Sequence, residues 1–312
     1  MDDFLSRVNP ELQEGLNALL TLRLPDDLPM ARQFTPPPFA KSDAVLTTVR
    51  YISGGDENEM LIKIYEPAGR EGRRLPALLW IHGGGYVLGH PDGDDGLCED
   101  FVKTADCVVV SPDYRLAPEY PYPAPIEDCY AALVWLAEAA EDLKIDPSRI
   151  AIGGASAGGG LTAALALLAR DRRGPAVCFQ MPLYPMIDDR NVTPSSHEIT
   201  YPVVWNRANN VEAWKLYLGD HAFGEISPYA AASRATDLRG LPPAYTCVGQ
   251  LDPFRDETLH YVAQLAQAGV DVEFTLYPGG YHGFEHVNPK SEIGQRARDG
   301  YLNAMVRALR HG

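Results

Sequence analysis

The chain has 312 residues, of which 46% are hydrophobic, and its 27 basic and 42 acidic side chains give a net charge of −15 at pH 7. This composition is typical of a folded protein with a large core and argues against a disordered chain. The excess of acidic side chains argues against binding to nucleic-acid phosphates or to an anionic membrane surface.

The sequence predicts an N-terminal helix, then strands that alternate with helices. The helix covers about residues 10–22, and a proline-rich link follows it at residues 25–38, where one regular element is not possible. Apolar runs predict strands at residues 45–53, 60–65, 77–81, 107–111, 150–153, 177–183, 244–248 and 272–277. The intervening stretches predict helices at residues 96–104, 125–143, 157–171, 256–268 and 291–310.

The strand runs also predict the kind of sheet. The middle runs are nearly continuous Val, Ile, Leu and Ala, as in strands that are covered on both faces. Their alternation with helices predicts an α/β fold with a mostly parallel sheet and right-handed crossovers. The short loop at residues 54–58 predicts that the first two strands form an antiparallel hairpin at the edge.

Residues 187–224 interrupt this alternation. They are polar and rich in aromatics, including Tyr201, Trp205, Trp214 and Tyr217, and they lie between two predicted sheet strands. We interpret them as a helical insertion that covers the C-terminal edge of the sheet. Simple packing of these aromatics against the body is an equally good explanation for any one of them.

A serine lies between a predicted strand and a predicted helix, in the segment Gly154-Ala155-Ser156-Ala157-Gly158. This GxSxG pattern is typical of a nucleophile elbow, in which the turn strains the backbone at the serine and requires tiny neighbours on both sides. The turn also places Ser156 at a helix N-terminus, which favours oxyanion charge. The alternative is a turn that only packs a helix closely on the sheet.

A second glycine-rich turn, His82-Gly83-Gly84-Gly85, follows the predicted strand at 77–81. Glycines at a strand end allow backbone N–H groups to face a cavity, as an acyl-transfer enzyme requires for its oxyanion. We therefore predict an oxyanion hole made by the amides of Gly84, Gly85 and Ala157. His82 is predicted to orient its neighbours rather than to act as the base, and an ordinary glycine turn is the alternative for the motif.

The remaining members of a Ser-Asp-His triad occur in the required order. Asp252 follows the predicted strand at 244–248, and His282 lies in a glycine-rich loop after the strand at 272–277. Both strand ends are on the same sheet edge as Ser156, so we predict His282 as the base and Asp252 as the group that orients it. Asp256 and Glu257, in the first turn of the next helix, are attributed to interaction with the helix dipole.

Five motifs together resemble the bacterial hormone-sensitive-lipase-like esterases, the family IV carboxylesterases. They are HGGG at 82–85, YRLAPE at 114–119, GxSAGG at 154–159, DPFRDE at 252–257 and YHGF at 281–284. One departure is Ala155, where the family usually has Asp or Thr. Within YRLAPE we expect Arg115 to pair with Glu119.

The resemblance implies an α/β-hydrolase fold with an eight-stranded sheet, no metal and no cofactor. It also implies a cap built from an N-terminal segment, residues 1–44, and from the insertion, residues 187–224, over a catalytic domain of residues 45–186 and 225–312. The implied activity is hydrolysis of small esters with short to medium acyl chains through a covalent acyl-enzyme. We expect a monomer or a homodimer.

Rival functions are less well supported by the motifs. The glycine turns do not match GxGxxG, and no GxxxxGK[ST] loop occurs, which argues against a nucleotide site. His282, Glu285 and His286 match the metal-binding pattern HxxEH, but the surrounding glycines and proline argue against the helix that this pattern needs. The acidic loop at residues 92–95 has Lys103 where an EF-hand needs Glu, so we expect a solvated loop. A non-catalytic receptor of this fold usually lacks a triad residue, and all three are present here.

The sequence also suggests a location. No apolar run reaches the roughly 18 residues that a membrane helix needs, and the residues around Pro10 lack the basic start and apolar stretch of a signal peptide. The five cysteines contain no CxxC pair and indicate core residues in a reducing compartment; they are Cys98, Cys107, Cys129, Cys178 and Cys247. We expect a cytoplasmic protein with no nucleic-acid or membrane partner.

Overall fold

The computed structural model of the protein describes residues 2–33 and 39–311, and its centre is one eight-stranded sheet. The strands are β1 Val45–Ser53, β2 Glu59–Pro67, β3 Leu75–Ile81, β4 Val108–Pro112, β5 Ile145–Ala155, β6 Phe179–Leu183, β7 Ala244–Leu251 and β8 Val272–Tyr281. Their order across the sheet is β1-β2-β4-β3-β5-β6-β7-β8. The pairs β1–β2 and β2–β4 are antiparallel, and the strands from β4 to β8 pair in parallel. The predicted mostly parallel sheet with an antiparallel edge hairpin is confirmed.

Helices lie on both faces of the sheet. The helices of the described residues are α1 Asp2–Arg7, α2 Gln13–Ala18, α3 Leu28–Ala31, α4 Asp95–Ala105, α5 Ala124–Glu138, α6 Ala157–Arg172, α7 Pro194–Glu198, α8 Arg207–Leu218, α9 Arg255–Gln267, α10 Phe284–Val287 and α11 Glu292–His311. Within the described residues, no helix combines the length and the apolar character needed to cross a membrane.

The core divides into two clusters because neighbouring residues of a strand face opposite sides of the sheet. In β3, Leu79 belongs to the cluster that includes α5 and α6, and Trp80 belongs to the cluster that includes α4 and α11. Both side chains are fully buried. Burial on both faces explains why the interior strands are continuous apolar runs rather than alternating patterns.

The N-terminal segment differs from its prediction. Instead of one helix at residues 10–22, the chain forms α1, a short 3-10 turn at Pro10–Leu12 and α2, and it becomes extended at Leu19. The extended part finds its hydrogen bonds on the insertion, where Asn209 of α8 accepts from the Leu24 amide at 3.0 Å and donates to the Leu22 carbonyl at 2.9 Å. Part of the proline-rich link, residues 34–38, lies outside the described residues.

Candidate active site

Ser156 occupies a tight turn between β5 and α6. Its backbone has φ +59° and ψ −119°, a conformation that a non-glycine residue rarely adopts. A Cβ at Gly154 would lie 2.5 Å from the Gly158 carbonyl oxygen, and a Cβ at Gly158 would lie 2.0 Å from the Ile81 carbonyl oxygen. Only glycine therefore fits on either side of the serine, which is the physical reason for the GxSxG spacing.

The structure brings Ser156, His282 and Asp252 together. The Nε2 atom of His282 lies 2.9 Å from the Ser156 hydroxyl, and its Nδ1 atom lies 2.7 Å from Oδ2 of Asp252. The Asp252 side chain is fully buried, and its other oxygen accepts the Phe254 amide at 2.8 Å. Because the carboxylate holds the imidazole proton on Nδ1, Nε2 is left to accept the serine proton.

His282 is more closely packed than expected for a residue of a free loop. The strand β8 continues to Tyr281, so His282 directly follows a strand end, and α10 begins two residues later. The rings of Tyr184 and Phe254 stand edge-on to the imidazole, each with its centroid 5.1 Å away. These contacts fix the ring in the plane between the serine and the aspartate.

The three predicted oxyanion-hole residues meet beside Ser156. Gly84 and Gly85 have φ values of +124° and +62°, which bend the turn over the serine. A Cβ at Gly83 would lie 2.9 Å from the Ala155 carbonyl oxygen and 3.4 Å from the Ser156 Cβ, so this turn and the nucleophile turn are in contact. Within residues 2–33 and 39–311, the amides of Gly84, Gly85 and Ala157 donate to no other protein group.

His82 lies beneath the oxyanion turn rather than at the reacting atoms. Its ring is buried, stacks on Tyr114 at 4.2 Å, and donates from Nδ1 to the Gly83 carbonyl at 2.8 Å. Burial lowers the pKa of His82, so the ring is neutral and suits this single donation. His82 is thus placed to orient the glycine turn, and this role stays a prediction.

A cavity of about 520 Å³ opens above the three side chains. One wall is the glycine turn with His90 and Asp94, and another is made by Tyr184 and His286. The N-terminal segment and the insertion complete the cavity through Leu22, Ala31, Arg32 and Trp205. Sequence reasoning noted Trp205 only as one of several aromatics and missed Arg32 and Tyr184, because no motif marks a residue that reaches the cavity from another segment.

Two sequence interpretations of charged residues were wrong. Glu257 is not held at the surface by the helix dipole, because it is buried and its Oε1 accepts the amides of Ile187 at 2.8 Å and Asp188 at 3.2 Å. It therefore anchors the start of the insertion. Arg115 does not pair with Glu119: its guanidinium binds Asp128 and Asp56.

The acidic loop at residues 92–95 is held by partners, although Asp92 and Gly93 are exposed as expected for a solvated loop. Lys63 of β2 pairs with Asp92 at 2.8 Å and with Asp95. The indole of Trp80 donates to Asp94 at 2.7 Å. The loop is thereby fixed as part of the cavity wall.

The HxxEH residues do not converge on one point. His282 binds Asp252 and Ser156, whereas Glu285 accepts a hydrogen bond from Tyr184. In the part of the chain that the structure describes, no three His, Cys, Asp or Glu side chains are grouped as metal ligands.

The chain is similar in sequence to known hydrolases. A sequence model described as the alpha/beta hydrolase fold matches residues 78–286. The esterase LipI of Mycobacterium tuberculosis is 41% identical over 220 residues, which are 69% of this chain and 68% of LipI. The carboxylesterase NlhH of the same organism is 40% identical over 240 residues, 75% of this chain and 74% of NlhH.

Solved structures cover nearly the whole chain. A bacterial heroin esterase is 39% identical, with a TM-score of 0.91 over 97% of this chain and 98% of that one. A hyperthermophilic esterase from the archaeon Pyrobaculum calidifontis is 32% identical, with a TM-score of 0.85 over 96% and 98% of the two chains.

Proposed function

Since the chain belongs to the α/β-hydrolase fold family and is a relative of bacterial carboxylesterases, we propose that it hydrolyses carboxylic esters of short to medium acyl chain length. The nucleophile is Ser156, the base is His282 and the orienting acid is Asp252. The observation that carries the proposal is the position of His282, with Nε2 2.9 Å from the serine hydroxyl and Nδ1 2.7 Å from the aspartate.

The proposed reaction has two halves. In the first, the Ser156 oxygen attacks the ester carbonyl while His282 takes its proton, and the amides of Gly84, Gly85 and Ala157 bind the oxyanion. The imidazolium then protonates the leaving alcohol, and the acyl group remains on the serine. In the second half, water attacks the acyl-enzyme with His282 again as base, and the acid is released.

The substrate range follows from the proposed cap. We assign residues 1–44 and 187–224 to this cap, because Leu22, Arg32 and Trp205 close the cavity over the serine. A cavity of about 520 Å³ accommodates a small ester but offers no broad surface for a lipid droplet. Short acyl esters are therefore expected to be better substrates than long ones.

The test is the variant Ser156→Ala, assayed with p-nitrophenyl esters of increasing acyl length. Because the members of a triad act as a unit, we expect kcat to fall by at least ~10³-fold while the protein remains folded. Ser148→Ala is the matched control, since this serine is exposed on β5 and, among the described residues, its side chain bonds to Asp146 alone.

Near-normal turnover by Ser156→Ala would exclude the mechanism. The wild-type protein is also assayed with matching anilides and with emulsified triglyceride. Faster hydrolysis of either substrate than of the short esters would contradict the assignment as a carboxylesterase.

A further inference from the structure

A second histidine lines the cavity beside the catalytic one. His286 lies on α10, four residues after His282, and its side chain is 38% exposed. The reaction proposed above does not use it. Its ring is nevertheless held in place by Tyr184 of the same cavity wall and by the buried Glu285 beside it.

The hydrogen bonds of these residues determine which nitrogen of His286 is free. The Tyr184 hydroxyl donates to Oε1 of Glu285 at 2.6 Å, and the same hydroxyl oxygen lies 3.0 Å from Nε2 of His286. Burial raises the pKa of Tyr184 well above its usual value, so the phenol keeps its proton and donates it in the hydrogen bond to Oε1 of Glu285. The phenol oxygen can then only accept from His286, which places the imidazole proton on Nε2.

The other nitrogen, Nδ1, has no partner among the described residues. Three other polar side chains of the cavity are already engaged: His282 binds Ser156, Arg32 binds backbone carbonyls and Glu119, and Asp94 accepts from Trp80. Nδ1 of His286 is thus an atom without a hydrogen-bond partner among the described residues, on a ring that the fold orients and that lines the cavity.

The burial of Glu285 supports a role of His286 in substrate binding rather than in packing alone. Its side chain is buried, and Oε2 has no hydrogen-bond partner. Burying a carboxyl group with an unsatisfied oxygen is costly, and an apolar residue would fill the same space at lower cost. The carboxyl group instead fixes the Tyr184 proton, and through it the orientation of His286.

We propose that His286 forms a polar subsite of the cavity, which selects esters that carry a hydroxyl group away from the scissile bond. With the imidazole proton on Nε2, a hydroxyl can donate to Nδ1. This inference rests on the proposed esterase function and names the class of substrate within it. The hydroxyl can belong to the acyl chain or to the alcohol, and the experiment separates these two sources.

The test uses two pairs of isosteric esters and measures kcat/KM by titration of the released acid. For the alcohol side, ω-hydroxybutyl butyrate is compared with pentyl butyrate. For the acyl side, methyl ω-hydroxyhexanoate is compared with methyl heptanoate. We expect the wild-type enzyme to prefer the hydroxylated member of one pair by about five- to tenfold, the effect of one net hydrogen bond.

The variant His286→Phe keeps a ring in the wall and removes Nδ1, so this preference is expected to fall to within about twofold. The control is His260→Phe, which changes an exposed histidine of α9 outside the cavity and is expected to keep the wild-type preference. A residue that only braced the wall would change both members of a pair alike and leave their ratio unchanged.

Equal rates for both members of each pair in the wild type, or a preference that survives in His286→Phe, overturns the subsite. In both cases the alkyl esters are still hydrolysed and the proposed function stands. Failure of the wild type to hydrolyse any of the four esters removes the proposed function and this inference with it.

Discussion

At the level of single residues, the contact between Trp205 and Gly85 links the insertion to the oxyanion turn. Gly85 has φ +62°, and a Cβ there would lie 2.4 Å from the tip of the indole. Trp205 cannot easily move away, because its Nε1 donates to Asn210 of α8 at 3.1 Å. The glycine is thus required by its backbone angle and by its neighbour.

We expect Gly85→Ala to lower kcat/KM by on the order of 10²-fold or more, the loss typical of removing one oxyanion donor. The methyl group must displace either the turn or Trp205. Gly93→Ala is the control, because Gly93 lines the same cavity, has no positive φ and has open space at its Cβ. Steady-state kinetics on a short ester compares the two variants, and equal activities would contradict this account of Gly85.

Single residues also show what the sequence reveals and what it hides. The meeting of Ser156, Asp252 and His282 was predictable because each follows a recognisable strand in a fixed order; their catalytic roles stay a proposal. The pairing of Glu119 was not, because its partner Arg32 lies 87 positions away in a segment without any motif. Trp205 was visible as an aromatic residue, but its contact with Gly85 depends on how the insertion folds back.

At the level of elements, the N-terminal segment is fastened to the body by the guanidinium of Arg32. This side chain donates to the carbonyls of Val87 at 2.9 Å and Ala117 at 2.6 Å, and to both oxygens of Glu119 at 2.7 and 2.8 Å. Val87 belongs to the oxyanion turn, since its amide binds the Gly84 carbonyl. One side chain therefore joins the proposed cap to the glycine turn and to the segment of residues 117–119.

Replacing Arg32 with Ala is expected to loosen this segment and to raise KM for short esters by about three- to tenfold, as expected for loss of hydrogen bonds to a charged group. Limited proteolysis should cut the segment before residue 34 faster than in the wild type, with a small change in Tm. The control is Arg23→Ala, because Arg23 lies in the same segment and its exposed side chain pairs, within the described part of the chain, with Asp27 alone. An unchanged KM together with an unchanged cleavage rate would show that Arg32 does not hold the cap.

The elements differ in how well their sequence determines them. The interior strands were predictable because burial on both faces makes them continuous apolar runs. The helix predicted at residues 10–22 ends at Ala18 and begins with a 3-10 turn. Beyond Leu19 the backbone bonds instead to the Asn209 side chain, a partner 185 positions from Leu24. The local sequence pattern contains no information about a hydrogen-bond partner so far away in the chain.

At the level of the whole molecule, the match over residues 78–286 and the related esterases confirm the resemblance to the hormone-sensitive-lipase-like family. The eight-stranded sheet is confirmed with it. The division into residues 1–44, 45–186 with 225–312, and 187–224 stays a prediction, as do the cytoplasmic location and the monomeric or dimeric state.

The stability of the whole molecule should depend on the buried carboxyl group of Glu257, which joins α9 to the insertion. Burial raises its pKa well above the ordinary 4.5. The folded protein therefore keeps a proton that the unfolded chain releases. The stabilisation is complete below about pH 4.5 and is lost as the pH rises toward the folded-state pKa.

In Glu257→Gln the side chain cannot ionise, and its oxygen can still accept the amides of Ile187 and Asp188. We expect the Tm of this variant, relative to wild type, to rise steadily between pH 5 and pH 8. Thermal unfolding followed by circular dichroism measures this Tm difference. The control is Glu225→Gln, which changes an exposed side chain. A Tm difference that is constant with pH would contradict the raised pKa.

The side chains proposed to react and the cavity walls around them come from separate parts of the chain. Ser156, Asp252 and His282 follow the ends of β5, β7 and β8, whereas Arg32 and Trp205 lie in segments outside the sheet. Evolution can therefore exchange or lengthen these outer segments and change which molecules enter the cavity. The sheet meanwhile keeps Ser156, Asp252 and His282 at fixed positions. New substrate ranges on this scaffold should arise mainly by replacement of these outer segments.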